Sequence, residues 1–184
     1  MTLYEELLQN TKYSEVSEEA VVSLMRTYAV VMADFDQFVR QFGITPAQYN
    51  ILRILSGAER AGEQLGRNEI RRRLIDRVSP DVSRMLTRLE KAGLVSRDRR
   101  RREGEDQRLV PVQITAQGLE LLARVEGPLA ERNMHSMAAL TTAEQLQLIG
   151  LLERIRKGIR ALPQTRGGVP TTDIAGDTAD GAPE

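Results

Sequence analysis

The stretch of residues 79–92 holds side chains whose types and spacing suit binding chemistry. Polar and basic residues form one face of the stretch, at Ser79, Pro80, Asp81, Ser83, Arg84, Thr87 and Arg88. The apolar residues have the i, i+3, i+4, i+7 spacing of an amphipathic helix, at Val82, Met85, Leu86 and Leu89. Hydroxyl and guanidinium groups donate hydrogen bonds and pair with anions. The pattern therefore predicts a helix whose outer face binds a polyanion.

A second basic cluster lies between two candidate strands, residues 94–99 and 109–114, and comprises Arg100, Arg101, Arg102, Asp106 and Arg108. An arginine at the tip of such a hairpin can enter the minor groove of DNA, where narrow A·T tracts concentrate negative potential. Asp106 is expected to orient an arginine or to fix the turn through its backbone. Pro111 lacks an N–H group and favours an edge strand. Beside the helix of residues 79–92, this hairpin is predicted to be a wing.

The elements that position both clusters are predicted from apolar periodicity and from capping residues. Residues 17–42 and 144–161 repeat apolar side chains at spacings of three and four, which predicts long amphipathic helices. Their apolar stripes are longer than one small domain needs. A capping box at residues 141–144 opens the second of these helices.

Between the long helices, Thr45–Pro46 predicts the start of another helix, and residues 56–66 are predicted to be a loop. A short helix over residues 68–75 then leads to the helix of residues 79–92, with Ser79 as its N-cap and Pro80 as its first residue. A helix of residues 116–138 follows Thr115 and is expected to kink or break at Gly127–Pro128.

The predicted fold is mainly α with a small β-hairpin wing, a winged helix-turn-helix embedded in a helical dimerisation domain. Its predicted parts are an N-terminal arm (1–16), a dimerisation helix (17–42), a winged helix-turn-helix (43–115), dimerisation helices (116–162) and a disordered tail (163–184). The tail is rich in Gly, Pro, Thr, Ala and Asp and offers little to bury.

Charge is unevenly placed along a chain of 184 residues whose formal net charge is zero. Residues 67–108 contain 14 Arg or Lys and 8 Asp or Glu, a net charge of +6. The remainder contains 12 basic and 18 acidic residues, a net charge of −6. A polyanion is therefore expected to bind the middle of the chain.

Several classes of protein are disfavoured by composition. The chain has no Cys and one His, His135, so a disulfide framework, a thiolate zinc site and a polyhistidine metal site are not expected. With no Cys, one His and no glycine-rich phosphate loop after a strand, the sequence shows no poised acid, base or nucleophile, and neither an enzyme nor a cofactor is predicted. No apolar run reaches the roughly 20 residues that span a bilayer, and the start of the chain is acidic. We expect a cytoplasmic protein with no membrane partner.

Four segments together resemble the MarR family of transcriptional regulators: Ile44–Leu55, Asn68–Ile75, Val82–Val95, and Asp106-Gln-Arg108 followed by Ile114–Gly118. The resemblance covers roughly residues 17–162 and implies a winged helix-turn-helix in an obligate homodimer. It implies that Ser83, Arg84 and Arg88 read DNA from the recognition helix. It also implies that Arg108 is the wing arginine and that Asp106 braces it. Arg71 stands where the family usually has a small Ala.

The function predicted from these features is that of a transcriptional regulator, a repressor, that binds a pseudo-palindromic double-stranded DNA operator as a homodimer. The resemblance also suggests that a small aromatic or phenolic acid releases the protein from DNA. The candidate residues lining the cleft that would bind this acid are Tyr28, Tyr49 and Arg53. The alternative is a winged-helix protein-interaction module whose basic face binds an acidic partner. His135 is interpreted as a surface or interface residue.

Overall fold

The computed structural model describes residues 3–8, 13–76, 81–97 and 110–163. Within these ranges the elements, in chain order, are α1 (Leu3–Glu6), α2 (Val16–Arg40), α3 (Pro46–Arg60), α4 (Arg67–Arg73), α5 (Val82–Lys91), β1 (Val95–Arg97), β2 (Val112–Ile114), α6 (Ala116–Ser136) and α7 (Thr142–Ala161). The mainly α fold with a two-stranded hairpin confirms the predicted fold class.

The chain divides into two compact units, residues 1–133 and 134–184. The core of the first unit is apolar and draws on α3, α4, α5 and α6, whose most deeply buried side chains include Leu52, Ile70, Leu86 and Val125. Burial of each such side chain contributes about 1.5–3 kcal/mol to folding. This core fixes α5 and the hairpin against α3.

In the second unit, α7 begins at the predicted capping box. The Thr141 hydroxyl accepts a hydrogen bond from the Glu144 backbone N–H at 3.3 Å, and the Glu144 carboxylate accepts one from the Thr141 N–H at 2.7 Å. These two bonds satisfy backbone donors that have no partner inside the helix. The Thr141 hydrogen bonds lower the pKa of the Glu144 carboxyl. None of the side chains of α7 is buried.

The start of α3 confirms the prediction at Thr45–Pro46, but its end does not match. Thr45 and Gln48 form a reciprocal capping box, and Pro46 is the first helical residue. The helix continues to Arg60, so the predicted loop over residues 56–66 is wrong in its first half. Leu55 and Ala58 lie on the buried side, and core packing outweighs the weak helix propensity of Gly57.

The helix that carries the candidate binding face starts later than predicted. Asp81, rather than Ser79, is the N-cap: its Oδ1 accepts a hydrogen bond from the Arg84 backbone N–H at 3.0 Å, and Val82 is the first helical residue. Ser79 and Pro80 lie outside the described residues. Asp is as good an N-cap as Ser, so local sequence did not distinguish the two starts.

The preceding helix, α4, is shorter than the predicted range of residues 68–75. It ends at Arg73, and Leu74 has an extended backbone. Ile70 and Leu74 are buried while Arg71 is exposed. The large side chain at residue 71 is therefore accommodated on the outside of the helix.

The two strands pair antiparallel, with Val95 opposite Ile114 and Arg97 opposite Val112. Within the described residues both strands are shorter than predicted. The backbone N–H of Val112 donates to the Leu65 carbonyl at 2.9 Å, so β2 lies between β1 and Leu65 instead of at an edge. Pro111 does not prevent this arrangement because it lies just before the strand, where its missing N–H is not needed.

The next helix, α6, is tied to the end of α5 by Thr115. The Thr115 hydroxyl donates to the Gly93 carbonyl at 2.7 Å and accepts from the Gly118 N–H at 3.1 Å, as an N-cap does. The sequence predicts a kink or a break at Gly127–Pro128. A break is wrong, because α6 continues through Pro128 to Ser136. Gly127 has no Cβ, which removes part of the clash that usually excludes the α conformation before proline.

We expect Gly118→Ala to destabilise the protein by about 1–3 kcal/mol, the usual cost of overpacking a core. An added Cβ would lie 2.3 Å from the Leu94 carbonyl oxygen and 2.7 Å from Ile114 Cγ1. Chemical denaturation measures the change. Gly57→Ala is the matched control: nothing lies within 4 Å of its new Cβ, and it should stabilise the helix by roughly 0.5–1 kcal/mol. Equal stability of the two variants would contradict the close packing at Gly118.

Candidate nucleic-acid interface

The outer face of α5 is polar and basic, as the sequence predicts. Val82, Leu86 and Leu89 are buried on its inner side. The residues of the outer face are Asp81, Arg84, Thr87, Arg88 and Lys91, which are exposed, and Ser83, which is half-buried. The α4–α5 pair followed by the paired strands β1 and β2 has the order of a winged helix-turn-helix. We call the exposed polar side of α5 the reading face.

At the start of the reading face, Asp81 holds the helix terminus and its first arginine together. Asp81 caps the helix through Oδ1, and its Oδ2 lies 3.5 Å from the Nε atom of Arg84. The Arg84 side chain is 71% exposed, so water screens this pair and it adds little to stability. The contacts give Asp81 a structural role, and they leave the Arg84 guanidinium at the surface.

Ser83 contacts a residue that sequence reasoning missed. The Nη1 atom of Arg67, the first residue of α4, donates to the Ser83 hydroxyl oxygen at 3.2 Å. Arg67 therefore adds a positive charge beside the first turn of α5. The sequence held a signal for Arg67. A cation in the first turn of a helix interacts unfavourably with the helix dipole, so an arginine there is expected to have another partner.

Thr87 contacts a second missed residue, Arg97 of β1. The Thr87 hydroxyl donates to the Ser83 carbonyl at 2.9 Å and accepts from Arg97 Nη2 at 3.0 Å. Arg97 Nε also lies 3.4 Å from a Glu90 carboxylate oxygen, and the Arg97 side chain is only 17% exposed. Arg97 shares the inner side of its strand with Val95, because alternate residues face the same way. A charged residue at an inward position signals a buried partner.

The structure thus brings together Asp81, Ser83, Arg84, Thr87 and Arg88 on one helix and adds Arg67 and Arg97 from neighbouring elements. The other predicted DNA contacts lie outside the described residues: Ser79, Pro80, Arg100, Arg101, Arg102, Asp106 and Arg108. Their roles remain predictions. The same holds for the tail beyond residue 163.

The three residues predicted to line a cleft for an aromatic acid do not form one cluster. Tyr28 is exposed on α2, whereas Tyr49 is buried with its ring edge-on to Phe35, at 5.5 Å between centroids. Arg53 Nη1 donates to the Tyr49 hydroxyl at 3.4 Å and pairs with Glu126 Oε1 at 3.4 Å. The hydrogen bond to Tyr49, with a smaller contribution from Glu126, raises the pKa of the Arg53 guanidinium.

Among the residues that the structure describes, no group of three or more His, Asp or Glu side chains is placed to hold a metal ion. A search of the same residues finds no helix long and apolar enough to cross a membrane.

Known proteins are similar to this chain in both sequence and fold. Over 131 residues, 67% of this chain and 72% of the relative, the chain is 31% identical to a Thauera aromatica protein assigned as a transcriptional regulatory protein for the hcr operon. It is 32% identical to the crystal structure of a MarR transcription factor from Planctomyces limnophilus, with a TM-score of 0.56, covering 77% of this chain and 98% of that one. No protein-family model matches the sequence.

A third similarity shows the fold alone. The crystal structure of the S. aureus MepR–DNA complex matches with a TM-score of 0.62 at 23% identity, covering 76% of this chain and 95% of that one. The fold, the hairpin and the reading face define a winged helix-turn-helix protein. The chain belongs to the MarR family and is a transcriptional regulator of the MarR type.

Proposed function

We propose that the protein binds double-stranded DNA sequence-specifically, as a homodimer on a pseudo-palindromic operator, and represses transcription there. The observation that carries the proposal is the reading face of α5, where exposed Arg84 and Arg88 lie opposite a fully apolar inner side. The major groove of DNA accepts one α-helix, and arginine binds guanine edges or phosphates there.

Neighbouring cations support binding to a polyanion. Arg67 lies against the first turn of α5 through Ser83, and Lys91 continues the reading face. Because phosphate contacts supply most of the non-specific affinity for DNA, basic groups beside the helix add affinity and the helix adds selectivity. The fold shared with MepR in complex with DNA also supports this function.

The homodimer is supported by apolar side chains that each unit leaves in contact with solvent. On α2 they include Val21, Met25, Tyr28 and Val31, which are 47–65% exposed. On α7 they include Ile149, Leu151, Ile155 and Ile159, which are 43–61% exposed. Contiguous exposed apolar surface of this kind marks a protein interface. We infer that a second copy of the chain covers these side chains, and a two-fold symmetric dimer would match an operator of two inverted half-sites.

Selection of bound duplexes from a random library tests this function. We expect recovery of a site with two inverted half-sites, centred about 10 base pairs or a multiple of this apart. Expression of a reporter placed behind the selected operator should fall when the protein is present. Recovery of no preferred sequence, together with capture of an acidic protein by the basic face, would favour the interaction-module alternative.

Release by a small aromatic acid is the remaining part of the proposal, and the Arg53–Glu126 pair supports it. The Arg53 side chain is 49% exposed and lies beside the Tyr49 hydroxyl. The carboxylate of a ligand can replace Glu126 as the partner of Arg53, since exposed ion pairs contribute little free energy. We expect benzoate and hydroxybenzoates to weaken operator binding. In Arg53→Gln the same compounds should weaken operator binding at least tenfold less than in the unmodified protein. An unchanged weakening would exclude Arg53 as the anchor of the ligand carboxylate.

A further inference from the structure

The Thr87 hydroxyl, although it belongs to an exposed residue of the reading face, is engaged on two sides. It donates its proton to the Ser83 carbonyl at 2.9 Å, one turn earlier in α5, and accepts from Arg97 Nη2 at 3.0 Å. A hydroxyl group has one proton to donate. Thr87 therefore has no proton left for a phosphate oxygen or for the acceptor atoms of a base.

Arg97 is held where it restrains this hydroxyl. Its Nη2 atom also lies 3.5 Å from the Ser83 carbonyl, and its Nε atom lies 3.4 Å from Glu90 Oε2. The Arg97 side chain is 17% exposed and reaches from β1 to α5, two elements that pack against each other. Because the Thr87 hydroxyl is engaged with Ser83 and Arg97, the γ-methyl group is the part of this exposed side chain that remains for contact with a base.

We propose that Arg97 is a positioning residue that makes Thr87 an apolar reader, selecting a thymine in each half-site through the 5-methyl group of the base. Thymine alone among the four bases carries a methyl group in the major groove, and apolar contact with a threonine methyl is one way to read it. The inference rests on the proposed function, because α5 must enter the major groove for Thr87 to meet a base.

Ser83 provides an internal contrast on the same face. Its hydroxyl oxygen accepts from Arg67 Nη1 at 3.2 Å. Its own proton can thus be donated to phosphate or to an acceptor atom of a base, such as guanine O6. The two hydroxyl residues, one turn apart, therefore have different roles: Ser83 donates a hydrogen bond and Thr87 makes an apolar contact.

The test uses the full chain and the operator recovered by selection, with each thymine replaced in turn by deoxyuridine, which lacks only the methyl group. We expect one symmetry-related pair of thymines at which replacement weakens binding. The expected loss is about fourfold per methyl group and roughly fifteenfold for both, the effect of removing one buried methyl-sized group at each site. Equal binding of the operator with and without all its thymine methyl groups would overturn the inference.

Two nearly isosteric variants separate the methyl group from the hydroxyl. Thr87→Ser keeps the hydroxyl and its contacts with Ser83 and Arg97 but removes the methyl group, so it should bind thymine and uracil operators equally. Thr87→Val keeps a methyl group and loses the hydroxyl, so it should retain the preference for thymine. The reverse result, with Thr87→Ser retaining the preference, would overturn the inference.

The role of Arg97 is tested in two backgrounds. Arg97→Gln should reduce the preference for thymine in the otherwise unmodified protein, because the Thr87 side chain is released. In the Thr87→Val background it should leave that preference unchanged, since no hydroxyl remains to be restrained. A purely structural role would lower affinity for both operators alike in both backgrounds, and that result would overturn the assignment of Arg97. Failure to select any operator would instead refute the proposed function itself.

Discussion

Ile155→Asp on α7 and, separately, Val31→Asp on α2 are expected to convert the protein from a dimer into a monomer and to abolish operator binding. Ile155 is 43% exposed and Val31 is 47% exposed, each within a stripe of similarly exposed apolar residues. Burying a carboxylate in an apolar interface without a partner costs several kcal/mol. Two such carboxylates would enter every dimer, because the proposed interface between two copies of the chain is symmetric. Sedimentation measures the oligomeric state, and a duplex-binding assay measures the second effect.

Ile75→Asp is the matched control for these variants. Ile75 is 82% exposed and follows the end of α4, so it belongs to neither α2 nor α7. The same substitution there should leave the dimer intact. Phe35 is less suitable as a target, because its ring packs on buried Tyr49 and an aspartate would disturb the core. A stable monomer of the unmodified chain at micromolar concentration, or operator binding by monomeric Ile155→Asp, would contradict the proposed dimer.

Arg84→Ala is expected to remove most of the preference for the operator over a scrambled duplex. The Arg84 guanidinium lies at the surface within the first turn of α5, and Asp81 Oδ2 is 3.5 Å away. Loss of a bidentate contact with a base costs about 1–3 kcal/mol in discrimination. Since a dimer uses the residue twice, the ratio of the two affinities should fall at least roughly thirtyfold.

Arg124→Ala is the control for removal of an exposed arginine, since Arg124 lies on α6 outside the reading face. It should change neither affinity. Arg108, which the sequence predicts on the wing, offers a contrast. We expect Arg108→Ala to weaken operator and scrambled DNA evenly and to reduce the salt dependence by about one phosphate contact per half-site. An unchanged ratio in Arg84→Ala would show that α5 is not the reader of sequence.

Much of the fold could be predicted because its determinants are local. The apolar spacing of α2, α5 and α7 repeats every three or four residues, and the capping boxes at Thr45 and Thr141 span only four residues each. Such signals act within one helical turn and can be identified without knowledge of the packing. The family resemblance and the exposed polar residues of α5 also follow from the order of residues along the chain.

The ends of several elements depended on tertiary contacts instead. Core packing of Leu55 and Ala58 extends α3 into the predicted loop as far as Arg60, and α6 passes through Pro128. Gly57 in α3 and Pro128 in α6 both lower local helix propensity, and the free energy gained from packing exceeds that cost. The choice of Asp81 over Ser79 as the cap of α5 was likewise open, because both residue types cap well.

The composition of the reading face shows the same division between local sequence and tertiary structure. Ser83, Arg84 and Arg88 could be selected because helical spacing places them on one side. Arg67 and Arg97 could not be selected in this way, because they lie on α4 and β1 and reach α5 across 16 and 10 residues of chain. Only the packing of these elements on a common core decides which hydroxyl each guanidinium meets, and therefore which groups α5 presents to DNA.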